Sequence, residues 1–437
     1  MNQTDKMEVI IVGAGPSGLT CAYALAKRGI EVVVIERGEY PGAKNVFGGI
    51  FFSSIMEKLF PDFLDNAPWE RYVGKRKFAL LANENEMAFD LTPAAFNVAP
   101  YNHSFLARRG SMDQWLAKKA EEAGASIITN YCVRDFLYEN GKVVGITSGG
   151  DEDSLLADVI VCAEGANSLL SEKARLRKKI SPGRRSIAVK ENIRLPRSVI
   201  EDRFGLTDRQ GAAYEYFGAS VQGLLGNGFI YTNQDSLSVG VGFSLSDFMK
   251  SENAKNPNDI LDDFKSHPVI APLVRGGETT EYMAHMIPSD GFDYLPKLYR
   301  DGLLVVGDAA GLLNTSFFHE GVNLAMSSGL SAAETIIEAK EKNDFTAEAL
   351  SQYEEKLKAS FVMQDLKNCK NFLSFLHKHK SLINDYPTLM NDILVDYFRV
   401  SEKPKSVVKK EIFNRVMKNV KLTRVASDMW GAWSNLI

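Results

Sequence analysis

Residues 7–36 (MEVIIVGAGPSGLTCAYALAKRGIEVVVIE) decide the fold of this chain. Residues 7–12 are apolar enough to predict a buried strand, a helical pattern follows from Leu19 to about Arg28, and a second apolar run ends at Glu36. Residues 13–18 lie between the first strand and the helix and form a GxGxxG turn. The order of strand, glycine turn, helix, strand and acidic residue predicts a β-α-β unit that binds a dinucleotide.

Each glycine of the turn has a physical task in such a unit. Gly13 permits the tight turn, Gly15 lets the backbone approach a pyrophosphate, and Gly18 allows the helix to pack closely on the strand. The helix N-terminus offers N–H groups and the positive end of its dipole to phosphates. Glu36 is expected to accept hydrogen bonds from the adenosine ribose. A glycine-rich turn without a ligand is the alternative, and the unit by itself leaves NAD, NADP and FAD open.

Length and composition are those of a globular protein with two or three domains: 437 residues, 45% hydrophobic and 24% charged. The net charge of −4 argues against a nucleic-acid-binding protein. The four cysteines lie far apart without a CxxC pair, so we expect buried thiols in a reducing cytoplasm. No hydrophobic signal segment precedes the first strand and no apolar run reaches about 18 residues, so no membrane-spanning segment is expected.

The rest of the chain alternates between two patterns. Strand and helix signals recur in residues 105–180 and 286–345, including a hairpin at Asn140-Gly141. Alternating apolar residues and turns fill most of residues 77–104 and 181–285, and the chain is helical from residue 346. We therefore predict an α/β fold with an α+β insert. Its parts are a discontinuous Rossmann-type cofactor domain at 1–76, 105–180 and 286–345, an inserted antiparallel-sheet substrate domain at 77–104 and 181–285, and a helical C-terminal region at 346–437.

Three further motifs follow the order of a known family. Glu164-Gly165 ends one predicted strand, residues 307–311 (GDAAG) end another, and Arg109 precedes a helix. With the opening unit they resemble flavoproteins of the glutathione-reductase and aromatic-hydroxylase type. The resemblance implies an FAD-binding domain, with Asp308 at the ribityl and phosphate part of FAD and Arg109 near the pyrophosphate; Arg108 is the fallback. Glu164 stands where the family usually has Asp, and we expect the turn to survive this exchange.

Sequence around the GDAAG motif narrows the resemblance. Aromatic hydroxylases usually carry His and Pro after this motif, where this chain has Gly311 and Asn314-Thr315. The chain instead resembles the branch of electron-transfer-flavoprotein:quinone oxidoreductases and geranylgeranyl reductases, and over essentially its whole length the FixC family. The segments that carry this likeness are KN at 44–45, GG at 48–49, MIP at 286–288 and GDAAGLLN…EGVNLAMSSGLSAAE at 307–334.

The FixC resemblance implies an FAD-dependent electron-transfer subunit. Electrons would arrive from an electron-transfer flavoprotein of alpha and beta subunits, with a ferredoxin-like iron–sulphur subunit, and leave to a membrane quinone. Single-chain quinone oxidoreductases hold a [4Fe–4S] cluster on C-terminal cysteines, whereas Cys369 is the only cysteine in that third of this chain. A separate ferredoxin subunit would therefore hold the cluster. The alternatives are a geranylgeranyl-reductase-like enzyme that saturates isoprenoid double bonds and a scaffold flavoprotein without turnover.

The predicted cofactor contacts come from the opening unit and from the resemblance. The isoalloxazine ring is assigned to residues 321–323, and no catalytic residue or metal ligand is predicted, because the flavin carries the chemistry. The predicted cofactor-binding residues are Gly13, Ala14, Gly15, Pro16, Ser17, Gly18, Glu36, Arg37, Gly49, Arg109, Val133, Ala163, Gly165, Gly307, Asp308, Gly321, Val322 and Asn323.

Two segments are candidates for contact with a membrane or its quinone. Residues 402–424 hold eight Lys or Arg and two Glu, and an apolar residue recurs at every fourth position: Val408, Ile412, Val416 and Val420. The segment, followed by Trp430 and Trp433, predicts either a helix packed on the core or an amphipathic helix on an anionic membrane surface. Its basic face also suits an acidic partner protein. Residues 216–231 are apolar and predict sheet core or the lining of a quinone channel. The membrane interpretation places the protein in the cytoplasm, at the inner face of the cell membrane.

Overall fold

The computed structural model describes residues 6–45, 48–149, 154–289, 291–419, 425, 427–428 and 430–432. The strands are β1 Met7–Val12, β2 Val32–Ile35, β3 Gly48–Phe52, β4 Trp69–Ala82, β5 Asn85–Leu91, β6 Ser104–Arg108, β7 Ser126–Ile128, β8 Asp135–Glu139, β9 Lys142–Thr147, β10 Ser154–Cys162, β11 Arg185–Arg194, β12 Gln210–Gly218, β13 Gly226–Thr232, β14 Ser236–Ser244, β15 Glu278–Pro288, β16 Tyr299–Arg300 and β17 Leu303–Val305. The helices are α1 Pro16–Ala26, α2 Ser54–Leu59, α3 Phe63–Asn66, α4 Arg109–Glu122, α5 Leu169–Lys173, α6 Arg197–Phe204, α7 Leu245–Lys250, α8 Pro257–Ser266, α9 Ala271–Val274, α10 Val322–Glu341, α11 Ala347–Leu350, α12 Gln352–Ala359, α13 Phe361–Asn368, α14 Phe372–Lys378, α15 Asp385–Phe398 and α16 Lys405–Asn419.

The chain divides into two compact units, of which the first comprises Met1–Glu70, His103–Arg185 and Met286–Lys370. Its sheet has the strand order β16-β17-β10-β1-β2-β7. All neighbours are parallel except the short edge strand β16. The hairpin of β8 and β9 joins β10, and its turn residues Asn140 and Gly141 both have positive φ. This is the predicted hairpin, with the φ signs of a type I′ turn.

Ile10 and Ile11 of the central strand β1 are completely buried, as expected for a parallel strand covered on both faces.

Helix packing in the first unit is closest between α1 and α10. Helix α1 contacts both α4 and α10. A Cβ atom on Gly329 of α10 would overlap the backbone oxygen of Ser17, so glycine is required for this close approach. The long helix α10 is thereby fixed against the first turn of α1.

The second unit comprises Arg71–Asn102, Ser186–His285 and Asn371–Ile437. Its strands follow the order β15-β11-β14-β13-β12-β4, and β5 pairs with β4. The predicted antiparallel sheet is confirmed for β11 to β14, but β12 and β4 are parallel. No hairpin connects these two strands, because they come from different segments of the chain, and so nothing local imposes an antiparallel register.

One face of this second sheet forms a hydrophobic core with two helices. Ile230, which the sequence offered as either core or channel lining, belongs to this core, as does Leu224. Helix α6 supplies Ile200 and Phe204, and α8 supplies Phe264. The sequence did not predict α6, since Pro196 and the left-handed Gly205 (φ +58) enclose only eight helical residues.

The C-terminal helices are divided between the two units. Residues 346–370 belong to the first unit and residues 371–437 to the second, so the helical region predicted as one block forms no compact unit of its own. In the second unit, α15 contacts both β5 and α16. None of the described helices combines the length and the apolar character needed to cross a membrane.

Helix α16 turns its regularly spaced valine face inward. Val408 is buried and Ile412 and Val416 are half-buried, while Val420 and Trp433 lie outside the described residues. The predicted apolar face therefore packs on the protein, which agrees with the interpretation of a helix packed on the core. A different set of side chains is exposed on α15, on α16 and in the segment between them: Tyr397, Phe398, Val400, Phe413 and Met417. Trp430, further along the chain, is exposed as well.

Arg71 is a buried residue that links several segments of the second unit. Its side chain is 1% exposed, donates hydrogen bonds to the backbone oxygens of Asn233, Asp208 and Gln210, and pairs with Glu201. We expect Arg71→Met to lower the free energy of unfolding by about 3 kcal/mol, because several buried acceptors lose their donor. Denaturant unfolding measures the loss. Arg197→Met is the matched control: Arg197 bonds the same Glu201 from the surface, so its removal should change stability little. Equal losses in the two variants would contradict the burial argument.

Candidate cofactor site

The turn between β1 and α1 is closely packed at two glycines and open at the third. Gly13 has φ +111, and a Cβ atom there would overlap the backbone oxygen of Ala163. A Cβ atom on Gly18 would overlap the backbone oxygen of Gly13. On Gly15, in contrast, a Cβ atom would meet only Nη2 of Arg109, at 3.9 Å. Protein packing therefore explains the first and third glycines, whereas Gly15 borders open space.

The other residues of the turn are fixed by neighbouring segments. Helix α1 begins at Pro16 and no side chain caps its N-terminus. The backbone N–H of Ala14 donates to Oε2 of Glu36 at 2.9 Å. Ser17 lies against Gly307, where a Cβ atom would come within 2.6 Å of the serine hydroxyl oxygen. The uncapped positive end of α1 is thus flanked by the predicted adenosine and ribityl segments.

Glu36 ties the loop after β2 to the glycine turn. Besides the Ala14 bond, its Oε1 accepts a hydrogen bond from the Gly38 N–H at 2.7 Å. The Tyr131 N–H donates to the backbone oxygen of Glu36 at 3.0 Å, which brings the loop that contains Val133 to the same place. A carboxylate has about four acceptor positions, so these bonds leave capacity for a ribose hydroxyl.

Arg109 is held in place by a carboxylate of its own helix. Nε and Nη2 of Arg109 donate to the two carboxylate oxygens of Asp113 at 2.9 and 2.8 Å. Asp113 is 1% exposed, and a Cβ atom on Gly42 would lie 3.1 Å from its Cβ. Burial opposes the charge of Arg109, but Asp113 and, less strongly, Asp308 raise the pKa of Arg109 above its ordinary value. The guanidinium is therefore a fixed cation beside Gly15.

The GDAAG segment forms a single 3₁₀ turn, Gly307–Ala310, directly after β17. The Gly307 N–H donates to the Ser328 hydroxyl at 2.9 Å. Nη1 of Arg177 donates to the Ala309 oxygen at 2.9 Å. The turn is thus held by one residue that precedes it in the chain and by one that follows it. Asp308 lies between the two bonded positions and is half-buried. Asp308 is close enough to Arg109 to contribute to the raised pKa of its guanidinium.

Glu164 caps a helix. Its carboxylate accepts hydrogen bonds from the N–H groups of Leu170 (2.8 Å) and Ser171 (2.7 Å) at the start of α5. Gly165 follows with φ +80, which glycine adopts without strain. The turn is thus intact with Glu in place of Asp, and the carboxylate is engaged by α5.

Asn323 fastens the start of α10 to α2. Its Oδ1 accepts hydrogen bonds from the Ser54 hydroxyl and the Ile55 N–H, both at 3.1 Å, and its Nδ2 donates to Oε1 of Glu320 at 2.7 Å. Gly321 is the N-cap of α10 and has no side chain to cap it. The amide of Asn323 is therefore largely used within the protein, which leaves the backbone of this segment for the predicted ring contact.

Glu320 is a titratable group that the sequence did not single out. Burial raises the pKa of its carboxyl above the ordinary range, although the hydrogen bond from Asn323 opposes the shift, and Asp365 adds to it. Burial also raises the pKa of Asp365. A carboxyl group that retains its proton more readily than usual therefore adjoins the segment assigned to the ring.

Several of the residues predicted to bind the cofactor lie close to the glycine turn. The Ala14 N–H is hydrogen-bonded to Glu36, and Ala163, Arg109 and Gly307 lie next to the turn. Gly49 lies in β3 opposite Ala107 of β6, two positions before Arg109. Arg37 is exposed in the loop after β2. Each individual cofactor contact remains a prediction.

Three supporting residues escaped the sequence-based prediction: Asp113, Arg177 and Ser328. Asp113 follows Arg109 by four residues in a predicted helix, a spacing that places the two side chains on one face and could have revealed the pair. Arg177 and Ser328 lie 132 and 21 residues from the atoms that they bond, and no local pattern signals such contacts.

Comparison with known proteins identifies the family. Residues 372–437 match the model of the ETF-QO/FixC family C-terminal domain, and residues 1–99 match the Thi4 family. Protein FixC of Azorhizobium caulinodans is 40% identical over 92% of this chain and 92% of its own. A probable electron transfer flavoprotein-quinone oxidoreductase of Escherichia coli is 38% identical over 95% of each chain.

Solved structures confirm the fold. A geranylgeranyl bacteriochlorophyll reductase-like protein from Thermoplasma acidophilum has a TM-score of 0.72 at 19% identity and covers 95% of this chain and 99% of its own. The flavin-dependent brominase Bmp2 has a TM-score of 0.65 at 20% identity, with coverage of 95% and 100%. The relatives at 40% and 38% identity show that the chain belongs to the FixC family of electron transfer flavoprotein-quinone oxidoreductase-like proteins, which are FAD-dependent oxidoreductases.

Proposed function

We propose that this chain passes electrons through FAD from an electron-transfer flavoprotein, with a separate ferredoxin-like iron–sulphur subunit, to a membrane quinone. The observation that carries the proposal is the match over 92% and 95% of the chain to FixC and to a quinone oxidoreductase. Such a match includes the cofactor unit, the sheet unit and the C-terminal helices together. The function is therefore inferred for the chain as a whole rather than from one motif.

The residues of the cofactor site fit FAD. Gly15 is the test, because packing within the protein does not require a glycine there, whereas a pyrophosphate approaching the backbone does. The fixed cation of Arg109 lies beside this opening, and α1 offers an uncapped N-terminus. Both features favour a doubly charged pyrophosphate. A neutral ligand would gain nothing from either.

Each segment has a task along an extended FAD. Glu36 would accept the ribose hydroxyls at the adenosine end, Arg109 and residues 13–18 would hold the pyrophosphate, and Asp308 would accept hydrogen bonds from the ribityl chain. The bidentate bond to Asp113 keeps Arg109 from rotating away, so the cation is oriented before FAD arrives. FAD, when bound, supplies the redox chemistry.

The start of α10 would serve the isoalloxazine end. Its 20 residues, Val322–Glu341, place a positive dipole end at Gly321, which favours negative charge on a reduced flavin. Asn323 holds this end in position through Ser54 and Ile55. Reduction of a quinone to a quinol consumes two electrons and two protons, and the carboxyl of Glu320, whose pKa burial raises, lies beside this segment and would be the candidate to pass on a proton.

The cysteines support a separate iron–sulphur subunit. Cys21 and Cys162 are buried in α1 and β10, and burial raises the pKa of both thiols. Cluster ligation requires thiolates, which burial in apolar surroundings disfavours. Cys132 is exposed and Cys369 half-buried. Four cysteines so placed do not form one ligand set, and we assign the cluster to a partner.

The second unit offers a surface for docking at a membrane. On α16 the outward side carries Phe413, which is 63% exposed, and Met417, which is 45% exposed, next to the exposed Lys409 and Lys410. Phe398 at the end of the neighbouring α15 is 72% exposed. Apolar side chains among lysines are typical of a helix that lies on an anionic bilayer. Such docking would place the protein at the inner face of the cell membrane, where its quinone is dissolved.

Anaerobic kinetics test the proposed function. The purified, FAD-loaded chain is mixed with reduced electron-transfer flavoprotein and a short-chain ubiquinone, and formation of the quinol is followed. We expect turnover that depends on the chain and disappears in Asp308→Ala, which should lose its FAD. Absence of turnover, combined with reduction of geranylgeranyl diphosphate by the reduced holoenzyme, would replace the proposal by the isoprenoid-reductase alternative.

A further inference from the structure

A run of basic residues in the first unit has no role in the site described so far. Residues 173–185 (KARLRKKISPGRR) contain seven Lys or Arg in 13 positions and no acidic residue. The chain as a whole has a net charge of −4, so this run is a local reversal of charge. Like charges that are close together in one segment repel each other and do not stabilise the fold. A function other than folding is therefore needed to explain them.

Some of these cations have structural tasks and others do not. Arg177 is buried and bonds the Ala309 oxygen, and Lys173 pairs with Asp135 at 3.3 Å. Arg175, Lys178 and Lys179 are exposed, and no ion pair among the described residues includes them. Their positive charges are therefore available to a molecule that binds this side of the unit.

Two exposed tyrosine rings lie next to arginine side chains on this side of the unit. The Arg184 guanidinium lies 3.3 Å from the ring centre of Tyr294, which is 53% exposed. Arg300 lies 5.1 Å from the ring centre of Tyr138, which is 45% exposed. Arginine and tyrosine are the residue types that dominate the binding energy of protein–protein interfaces. We call Arg175, Lys178, Lys179, Arg184, Tyr138 and Tyr294 the basic surface.

The basic surface adjoins the segment assigned to the ribityl chain. Arg177, which directly precedes Lys178, bonds the Ala309 oxygen, and its Nη2 would lie 3.4 Å from a Cβ atom on Gly311. From the other side, Leu295 and Pro296, which follow Tyr294, lie 3.3 and 3.7 Å from that same position. Residues adjacent in sequence to Lys178 and Tyr294 therefore contact the segment that bears Asp308.

We propose that the basic surface docks the acidic electron-carrier protein that delivers electrons to this chain, an inference that rests on the proposed function. An acidic carrier complements the charge, and docking beside the Gly307–Ala310 turn shortens the path to the flavin. In each encounter the reduced carrier gives up one electron and is oxidised. Two encounters supply the two electrons that, with two protons, convert a quinone to a quinol.

Two features favour a protein over a lipid surface here. The exposed aromatic side chains of the basic surface are tyrosines, whose hydroxyl groups suit a hydrated interface between proteins. The second unit exposes phenylalanine and methionine, which suit lipid, on α15 and α16. An anionic bilayer and an acidic protein thus correspond to different side-chain sets of this chain.

Charge reversal tests the basic surface. The double variant Lys178→Glu/Lys179→Glu is compared with Lys58→Glu/Lys118→Glu, which reverses the same number of charges at exposed positions of α2 and α4 in the same unit. Stopped-flow absorbance follows reduction of the FAD-loaded protein by two probes, a reduced acidic [4Fe–4S] ferredoxin and reduced electron-transfer flavoprotein. We expect the first variant to lower the second-order rate constant for at least one probe by roughly tenfold or more at low salt, with a weaker salt dependence. The control should behave as wild type.

Further measurements separate the possible failures. FAD content and reduction by dithionite should be unchanged in both variants, which excludes damage to the cofactor site. Lys178→Gln/Lys179→Gln should give a smaller loss than the reversal. Rates equal to wild type with both probes would overturn the docking proposal and leave the proposed function intact. A wild-type protein that neither probe reduces would overturn both. Loss of binding to phosphatidylglycerol vesicles with unchanged rates would assign the basic surface to lipid instead.

Discussion

Gly15→Val should give a folded protein that no longer retains FAD. The Cβ position on Gly15 has only Nη2 of Arg109 nearby, at 3.9 Å, so the fold accommodates a side chain there. The added methyl groups would fill the space through which a pyrophosphate approaches the backbone. Loss of two charge-assisted hydrogen bonds costs about 3–6 kcal/mol, so FAD affinity should fall at least about 100-fold. Flavin absorbance of the purified protein and calorimetric titration with FAD measure the effect.

Two further glycine variants make this result specific. Gly13→Ala should instead damage the fold, by about 2–4 kcal/mol, because its φ is +111 and the new Cβ atom would overlap the Ala163 oxygen. Gly110→Ala, where a Cβ atom meets nothing within 4 Å, should keep FAD and stability. If Gly15→Val bound FAD like wild type, the pyrophosphate would have to lie elsewhere and the assigned pose would be wrong.

The cofactor unit was predictable because its signals are local. The order of strand, glycine turn, helix and acidic residue lies within residues 7–36, and the structure has β1, α1 and β2 there. The convergence of Arg109 and residues 307–311 on that unit came from the family resemblance rather than from spacing, since no periodicity links segments so far apart. The comparisons confirm the family and the fold, and each individual cofactor contact remains a prediction.

Other features could not be predicted from the sequence, because they depend on residues that are distant in the chain and close in the fold. The parallel pairing of β12 with β4 joins strands more than a hundred residues apart, and the alternating pattern of apolar residues is the same for either direction. The carboxylate of Glu36 is shared with the N–H groups of Ala14 and Gly38, a task that its family role did not indicate. The inward valine face of α16 shows the same limit, since periodicity identifies an apolar face but not what covers it.

Replacing the exposed phenylalanines of the C-terminal helices should abolish membrane binding. Phe398 and Phe413 are 72% and 63% exposed, on α15 and α16, which contact each other. Transfer of one phenylalanine side chain out of water contributes about 1.5–3 kcal/mol. We therefore expect Phe398→Asp/Phe413→Asp to weaken binding to vesicles of phosphatidylcholine and phosphatidylglycerol at least about 100-fold. Sedimentation with vesicles measures bound and free protein.

A matched change elsewhere decides whether this loss is local. Met249→Asp replaces one exposed apolar side chain by aspartate at a 64% exposed position of α7 in the same unit, as each single phenylalanine change does, and it should leave vesicle binding unchanged. Lys409→Ala/Lys410→Ala removes only the electrostatic term, worth about 1 kcal/mol per lysine, so its effect should fade as salt rises, whereas the phenylalanine effect should persist. Vesicle binding that survives the loss of both phenylalanines, with ubiquinone in the same vesicles still reduced, would mean that quinone reaches the protein through another surface. In that case the apolar side chains of α15 and α16 would have to be covered by a protein partner.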